Sequence, residues 1–224
     1  MKFSDLGLSS ELSRAVADLG YESPTPIQEK SIPVVLMGRD ILGSAQTGTG
    51  KTASFTLPMI DILASGRAKA RLPRSLILAP TRELAAQVAD SFEKFSVNNK
   101  LSMGLLIGGV SFADQNAALS KGVDVLIATP GRLLDHFERG KVLLNDVKIL
   151  VIDEADRMLD MGFIPDVEKI VSLLPRMRQT LFYSATLSDD IQKIGSKFVM
   201  NPKTIEVATP ASTAETVAQH VVWT

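Results

Sequence analysis

Short runs of Val, Ile and Leu alternate along this chain with stretches of helical periodicity. From residue 40 onward the apolar runs are nearly continuous, as is typical of strands buried on both faces. They predict strands at Asp40–Ser44, Ser75–Ala79, Ser102–Ile107, Val123–Ala128, Lys148–Ile152, Thr180–Ser184 and Thr204–Val207. The stretches between them predict helices at Lys51–Ala64, Arg82–Phe95, Phe112–Ser120, Arg132–Glu138, Val167–Leu174 and Asp189–Phe198. This alternation predicts an α/β fold, with a mostly parallel sheet and helices on both faces.

Helical periodicity also occurs before the first predicted strand. It predicts helices at Ser10–Leu19 and Ile27–Met37. Pro24 and Pro26 lie between them, where proline ends one helix and suits the first turn of the next. We therefore expect residues 1–38 to form a helical segment that precedes the sheet.

The last residues of the chain have a different composition. Ala208–Glu215 is rich in Ala, Thr, Pro and Ser, which is typical of a linker. Thr216–Trp223 then predicts the start of a strand that has no partner in this chain. We expect one domain over residues 1–207, and a linker with the truncated start of a second domain over residues 208–224.

The composition excludes several kinds of site. The chain has no cysteine, which excludes disulfides, thiolate metal sites and cysteine nucleophiles. Its two histidines, His136 and His220, are far apart and have no partner at the spacing of metal ligands. No apolar run is long enough to span a membrane, and the first residues do not resemble a signal peptide. We therefore expect a soluble, cytoplasmic protein with no membrane partner.

The charge distribution gives no broad basic surface. The formal net charge is −1, whereas nucleic-acid-binding proteins usually carry an excess of positive charge. One cluster of basic residues falls in a predicted loop, where a solvated surface is favoured over a nucleic-acid contact. It consists of Arg67, Lys69, Arg71 and Arg74.

A glycine-rich segment connects the first predicted strand to its helix. The sequence Ala45-Gln-Thr-Gly-Thr-Gly-Lys-Thr52 matches a phosphate-binding loop, except that the full pattern has Gly at the position of Ala45. Glycines allow backbone N–H groups to face phosphates, Lys51 supplies a positive charge, and the Thr52 hydroxyl can face Mg²⁺. The candidate nucleotide-binding residues are Ala45, Gln46, Thr47, Gly48, Thr49, Gly50, Lys51 and Thr52.

Two carboxylates follow a buried strand about a hundred residues later. Asp153 could hold Mg²⁺, partly through water, and Glu154 could orient and deprotonate an attacking water. Alone, such a pair is more simply the acidic first turn of a helix. Together with the loop at Ala45–Thr52, it predicts a nucleoside-triphosphate site with Lys51, Asp153 and Glu154 as its catalytic residues.

Three further motifs follow predicted strands at the same sheet edge. Pro80–Leu84 and Thr129–Arg132 each place an arginine at a helix N-terminus, and Gly108-Gly109 allows close approach of a polynucleotide backbone. Each alone is more simply a turn with a helix cap. Their common location favours a nucleic-acid backbone as ligand. Helix N-termini and backbone amides can bind its phosphates even though the protein has no high positive net charge.

Two weaker signals complete the set of candidates. Ser184 and Thr186 end the sixth predicted strand with two hydroxyls, which is also typical of an ordinary strand end. Gln28 has an amide that can donate and accept together, which fits the edge of adenine, although alone it is simply a polar helix residue.

In this order, the motifs resemble those of the DEAD-box RNA helicases. Gly20–Gln28 resembles the family's Q motif, Ala45–Thr52 its motif I, and Asp153-Glu-Ala-Asp156 its motif II. Ala45 is normal in that family. Gly108–Ser111 and Arg157–Phe163 are similar to the bacterial RhlE-type subgroup.

The resemblance implies a RecA-like P-loop NTPase domain over residues 1–207 that uses ATP and Mg²⁺. Phe3 would stack on adenine, while Thr25 and Gln28 would read its edge. The residues that would contact RNA are Pro80, Thr81, Arg82, Gly108, Gly109, Thr129, Pro130, Gly131 and Arg132. The residues that would couple hydrolysis to RNA release are Asp156, Ser184 and Thr186.

The resemblance also implies an ATP-dependent RNA helicase that binds RNA through its sugar-phosphate backbone, largely without sequence preference. The family's second RecA-like domain falls outside these 224 residues, so we expect this chain alone to be nearly inactive. Two other functions stay open: a nucleotide-binding module without turnover, and a DNA-directed P-loop motor. Gln28 with Phe3 argues against the DNA motor, because the pair resembles the family's adenine reader.

Overall fold

A computed structural model describes residues 1–66 and 72–207, in which seven parallel strands form one sheet. The strands are β1 Ile41–Ser44, β2 Ser75–Leu78, β3 Met103–Leu106, β4 Val125–Ala128, β5 Ile149–Ile152, β6 Gln179–Ser184 and β7 Lys203–Glu206. Their order across the sheet is β3-β4-β2-β5-β6-β1-β7. All seven strands predicted within residues 1–207 are confirmed, with small shifts at the ends. The predicted linker and second-domain strand lie outside the described residues.

The described residues form nine α-helices and one 3₁₀-helix, Phe3–Leu6. The α-helices are α1 Ser10–Asp18, α2 Pro26–Leu36, α3 Lys51–Ala64, α4 Arg82–Phe95, α5 Phe112–Lys121, α6 Pro130–Glu138, α7 Ala155–Asp160, α8 Ile164–Leu173 and α9 Asp189–Ser196. The predicted helices are confirmed, whereas α7 and the 3₁₀-helix were not predicted. No α-helix among residues 1–66 and 72–207 combines the length and apolar character of a membrane span.

Side-chain caps fix the starts of several helices. The Ser9, Thr81 and Ser188 hydroxyls accept hydrogen bonds from the backbone N–H groups three residues further on. Pro26 and Pro130 occupy the first turns of α2 and α6, where a missing N–H costs no helical hydrogen bond. The predicted cap at Ser188 is confirmed.

Alternate residues of the strands enter two hydrophobic cores, one on each face of the sheet. Ile77, Val151 and Leu181 pack in one core, together with residues of α1 to α4. Leu150 and Phe182, their neighbours in sequence, pack in the other core with residues of α6, α8 and α9. This arrangement confirms the predicted layers and explains why the strands read as continuously apolar.

At the amino ends of the strands, Arg74 is buried rather than part of a solvated loop. Its Nε and Nη2 donate to Asp124 Oδ1 at 3.1 and 2.7 Å, and its Nη1 donates to the Leu63 and Gly66 carbonyls. Burial acts to raise the pKa of Asp124, but hydrogen bonds from Ser102 and Arg74 outweigh it and lower that pKa. The other members of the predicted basic cluster lie outside the described residues.

The strand order determines where the motifs meet. β6 lies between β1 and β5, because Leu42 is in register with Phe182 and Ile152 also pairs with Phe182. The glycine-rich loop after β1 and the carboxylates after β5 therefore flank the end of β6, at the carboxyl edge where ligands bind in parallel sheets.

Candidate functional site

The glycine-rich loop enters α3 through two residues in the left-handed region. Gly48 and Gly50 have φ values of 88° and 85°. A Cβ at Gly50 would also collide with the Gln28 amide, whose Nε2 donates to the Gly50 carbonyl at 3.0 Å. Glycine is therefore required at residue 50 by its backbone conformation and by its close neighbour.

The loop lysine lies in a buried cluster with both carboxylates. Lys51 is 4% exposed, its Nζ pairs closely with Glu154 Oε1, and it lies 3.5 Å from Asp153 Oδ1. Thr47 Oγ1 also donates to Glu154 Oε1, at 3.2 Å. The structure thus brings together two motifs that are a hundred residues apart in sequence.

Burial and charge shift the protonation of this cluster. Burial raises the pKa of Asp153 to about 6, against the opposing effect of Lys51. Burial acts to lower the pKa of Lys51, but Asp153 and Glu154 outweigh it and raise that pKa above its ordinary value. Lys51 therefore stays positively charged at neutral pH.

Glu154 occupies an unusual backbone conformation between β5 and α7. Its φ and ψ are 57° and 50°, and it is one of two non-glycine residues with positive φ among those described. Its backbone N–H donates to Asp153 Oδ1 at 3.0 Å. Such a conformation costs on the order of 1–3 kcal/mol and tends to occur at functional sites.

A cavity of about 360 Å³ lies beside this cluster. Its predicted lining residues are Thr47, Gly48, Gly50, Lys51, Thr52, Asp153 and Glu154. The sequence prediction missed its other wall, formed by Leu84, Gln87, Val88 and Ser91 of α4. Their i, i+3, i+4, i+7 spacing places them on one helix face, which is the only signal that could have grouped them.

The donor set at this cavity fits Mg²⁺. Thr52, Asp153 and Glu154 offer hydroxyl and carboxylate oxygens, which this cation prefers. Residues 1–66 and 72–207 contain no group of three or more His, Cys, Asp and Glu side chains that could hold a metal. Water and phosphate oxygens would therefore complete the coordination, as is usual for Mg²⁺.

The three candidate adenine readers do not line this cavity. Gln28 is 1% exposed; its Oε1 accepts from the Thr25 N–H at 2.9 Å, and its Nε2 donates to the Gly50 carbonyl. Phe3 is 5% exposed in the 3₁₀-helix and meets the Tyr21 ring edge-on, 6.4 Å between centroids. Gln28 thus bonds the glycine-rich loop directly, whereas the Phe3 ring is packed inside the protein.

The end of β6 is bonded to the motifs on both sides. The Ala185 N–H donates to Asp156 Oδ2 at 3.2 Å, and Ser44 Oγ donates to the Ala185 carbonyl at 3.2 Å. Ser184 is fully buried, and its hydroxyl has no hydrogen-bond partner among the described residues. Thr186 is exposed. A shift of this strand end would therefore change the hydrogen bonds to Ser44 at the end of β1 and to Asp156 after β5.

A second cavity, of about 450 Å³, gathers the other motifs. Its predicted lining residues are Pro80, Thr81, Arg82, Gly108, Thr129, Pro130, Gly131 and Arg132. The cavity is also lined by residues that were not predicted to contact RNA, although all but Asp135 fall within motifs that the sequence had singled out: Glu83, Asp135, Met161 and Phe163. Arg82 Nη1 donates to the Gly108 carbonyl at 3.4 Å, and Gly109 is exposed beside it with a φ of 77°. The cavity carries charges of both signs, in keeping with the low net charge.

A parallel sheet with a glycine-rich loop after one strand and an acidic pair after another defines a nucleoside-triphosphate-binding domain. Residues 25–194 match the DEAD/DEAH box helicase family. The chain therefore belongs to the DEAD/DEAH box helicase family.

Individual relatives agree with this assignment. The chain is 44% identical over 221 residues to the ATP-dependent RNA helicase CshA of Listeria monocytogenes, covering 99% of this chain and 42% of that protein. It is 44% identical over 223 residues to the ATP-dependent RNA helicase DeaD of Escherichia coli K12, covering 99% of this chain and 35% of that protein. The chain thus spans less than half the length of these relatives.

A solved structure shares the fold. The crystal structure of a DEAD box protein from the hyperthermophile Methanococcus jannaschii superimposes with a TM-score of 0.86 at 40% identity. The match covers 92% of this chain and 56% of that chain. The predicted α/β fold is confirmed, and the resemblance to the RhlE-type subgroup stays a prediction.

Proposed function

We propose that this chain is the ATP-binding and RNA-binding first domain of an RNA helicase, which couples ATP hydrolysis to local opening of RNA duplexes. The main support is that one helix borders both cavities. Arg82, in the first turn of α4, lines the larger cavity, and Leu84 and Gln87 line the smaller one. The relatives are named ATP-dependent RNA helicases.

In this proposal, Lys51 binds the terminal phosphates of ATP. Lys51 now pairs with Glu154, so nucleotide binding exchanges that carboxylate for phosphate oxygens. Glu154 is then available to accept a proton from the attacking water. Thr52 and Asp153 would hold Mg²⁺, which would neutralise charge on the phosphates.

Adenine recognition is assigned to Gln28 and Thr25, and also to Phe3, whose ring is 5% exposed in this structure and would have to turn outward to stack on the base. The Gln28 oxygen has a second lone pair and its amide nitrogen a second hydrogen beyond the bonds to Thr25 and Gly50. The oxygen would accept a hydrogen bond from the amino group of adenine, and the amide nitrogen would donate one to N7. Gln28 would then connect the base to the phosphate loop through the Gly50 carbonyl.

RNA binding is assigned to the cavity that contains Arg82 and Arg132. Helix N-termini and glycine amides there suit phosphate oxygens and ribose, so binding would be largely independent of sequence. The bond between Asp156 and the Ala185 N–H, close to Ser184 and Thr186, offers a connection between hydrolysis and RNA release.

The remainder of the activity is assigned to a second RecA-like domain, and we propose that residues 208–224 form a linker and the truncated start of that domain. The nucleotide cavity is lined by no arginine among the described residues, whereas phosphoryl transfer commonly uses one. An arginine that reaches the transferred phosphate in this way, called an arginine finger, increases the rate of hydrolysis by about 10³–10⁵. We therefore propose that the chain alone hydrolyses ATP very slowly, and that the whole protein acts in the cytoplasm.

Nucleotide choice tests the adenine assignment. ADP should bind more tightly than GDP, because guanine presents O6 where adenine presents an amino group, a mismatch of about 1–3 kcal/mol. Labelled ADP and GDP titrated against the chain would measure this difference. Gln28→Ala should reduce it, and Gln192→Ala, at an exposed glutamine on α9, should not. Equal affinities of the wild type for the two nucleotides would refute the adenine reader.

ATP turnover, with the second domain supplied in trans or by fusion, tests the proposed chemistry. Glu154→Gln should keep ATP bound but slow hydrolysis by about 10²–10⁴, because the amide keeps the shape and loses the base. Glu138→Gln, at an exposed carboxylate paired with Lys169, is the matched control. Wild-type turnover by Glu154→Gln would refute the assigned base.

The same assay tests whether a second domain is needed. Strong RNA-stimulated turnover by the 224-residue chain alone would refute the proposed division of the activity between two domains. Binding of ATP without turnover even with the second domain would favour a nucleotide-binding module.

A further inference from the structure

A buried polar network borders the larger cavity. Gln115, on α5, is 4% exposed, and its Nε2 donates to the Ile107 carbonyl at 2.9 Å. That bond fixes the orientation of the amide, so the opposite oxygen faces α6. There, Gln115 Oε1 accepts from Arg132 Nε at 3.1 Å and lies 2.9 Å from His136 Nε2.

Arg132 is held by three separate contacts. Besides the bond to Gln115, its Nη2 donates to the Val110 carbonyl, and its Cζ lies 3.4 Å from the centre of the Phe112 ring. Together these bonds use two of the five N–H groups of a guanidinium. A stacked, planar group cannot rotate without losing these contacts. Three N–H groups have no bond among these contacts, and Arg132 is one of the residues that line the larger cavity.

His136 completes the network in one protonation state. The Gln115 oxygen can only accept, so His136 Nε2 must carry the proton. The buried Nδ1 atom has no hydrogen-bond partner among the described residues, and it carries no proton when the ring is neutral. Burial, and next the charge of Arg132, lower the pKa of His136, so the ring stays neutral at physiological pH.

We propose that Gln115 is a positioning residue for RNA binding that acts through Arg132. This inference rests on the proposed function of the larger cavity. Gln115 connects the Ile107–Val110 turn to the first turns of α6, so that Arg132 presents its free N–H groups to a phosphate of the bound strand. Phe112 supports the same guanidinium from its face.

A double-mutant cycle on the 224-residue chain tests this proposal, with labelled single-stranded RNA and labelled ADP as probes. Gln115→Ala should weaken RNA binding about tenfold, the effect of one hydrogen bond to a charged group, and leave ADP affinity unchanged. In an Arg132→Ala background, Gln115→Ala should cause no further loss, because the residue acts through the arginine. Gln192→Ala, at an exposed glutamine whose Nε2 donates to the Leu187 carbonyl, is the matched control.

Two substitutions at Phe112 examine the second support. Phe112→Tyr keeps the aromatic face and should keep RNA affinity within about twofold, whereas Phe112→Leu should weaken binding severalfold, because only the aromatic ring attracts the guanidinium. Equal losses from Gln115→Ala with and without Arg132, or a parallel loss of ADP affinity, would make Gln115 a general structural residue and overturn the proposal.

A second readout does not depend on RNA. The Arg132 Nε–H resonance, assigned by its disappearance in Arg132→Lys, should exchange slowly with water and about tenfold faster in Gln115→Ala. An unchanged exchange rate would overturn the positioning role. If the wild-type chain bound no RNA, the proposed function of the cavity would fail, while the exchange rates would still decide whether Gln115 holds Arg132.

Discussion

Two buried ion clusters lie at opposite ends of the sheet and differ in what completes them. At the amino ends, Arg74 donates from all three guanidinium nitrogens to Asp124 and to two backbone carbonyls. At the carboxyl ends, Lys51 pairs with Asp153 and Glu154 beside a cavity of about 360 Å³. Protein atoms close the first cluster, whereas the second is open to a ligand.

The two aspartates show the difference most clearly. Burial acts to raise the pKa of each. Hydrogen bonds from Ser102 and Arg74 outweigh burial at Asp124 and lower its pKa, whereas burial prevails at Asp153 and raises its pKa to about 6. A closed ion cluster therefore stabilises the fold, while an open one holds charge that is only partly compensated, ready for a charged ligand.

The largest effect is expected at the closed cluster. Arg74→Ala should lower the free energy of unfolding by about 3–5 kcal/mol, because it leaves the half-buried Asp124 without its charged partner and the buried Leu63 carbonyl without a donor. Denaturant titration would measure this, and ADP affinity of the folded variant should not change. Lys169→Ala, in an exposed pair with Glu138, should change the free energy of unfolding far less. Equal losses at both sites would show that the Arg74 cluster is not structurally special.

At the open cluster, loss of the cation should reduce ADP affinity more than it reduces stability. Lys51→Ala should weaken ADP binding by about 1.5–3 kcal/mol, the range for hydrogen bonds to charged groups, because it removes the charge that we propose faces the phosphates. Its stability should fall less than that of Arg74→Ala, because Asp153 can take up a proton. Calorimetry and denaturant titration would give both numbers, with Lys197→Ala as an exposed control. A large loss of stability with unchanged ADP affinity would reverse the comparison.

The smallest effect concerns His136, a buried group at the functional edge. Burial lowers its folded-state pKa below the ordinary value of 6.5, so the unfolded chain takes up the proton first. Stability should therefore fall as pH drops below about 6.5, by at most about 1.4 kcal/mol per pH unit from this group.

The measurement is the free energy of unfolding at pH 7.5, 6.5 and 5.5. His136→Gln should show a shallower decline than the wild type, because it lacks the titrating ring. Identical slopes would mean that His136 carries no part of the acid sensitivity.

Local sequence predicted the elements because each strand is a compact run of Val, Ile and Leu between turn residues. It did not predict α7, since six helical residues that directly follow β5 contain too few turns for a periodicity to be recognised. It also favoured a solvated surface for Arg74, because the carboxylate that binds its guanidinium, Asp124, lies 50 residues further on.

For the site, too, the sequence predicted local motifs but not contacts between residues that are far apart in the chain. The loop at Ala45–Thr52 and the pair Asp153-Glu154 carry their chemistry in their own sequence, and parallel strands bring strand ends to one edge. The wall formed by Gln87 and Ser91, and the contact of Gln115 with Arg132, depend on how helices pack. Helix packing follows from the tertiary structure, which no short motif encodes.

The strand order also has a consequence for synthesis on the ribosome. β1 ends at Ser44, yet its neighbours in the sheet are β6, which begins at Gln179, and β7, which begins at Lys203. At usual translation rates, the strand that carries the phosphate loop waits on the order of 10 s for its partners. Nascent chains that end before residue 179 should therefore lack the nucleotide site and expose this apolar strand, for which chaperones would be the natural protection.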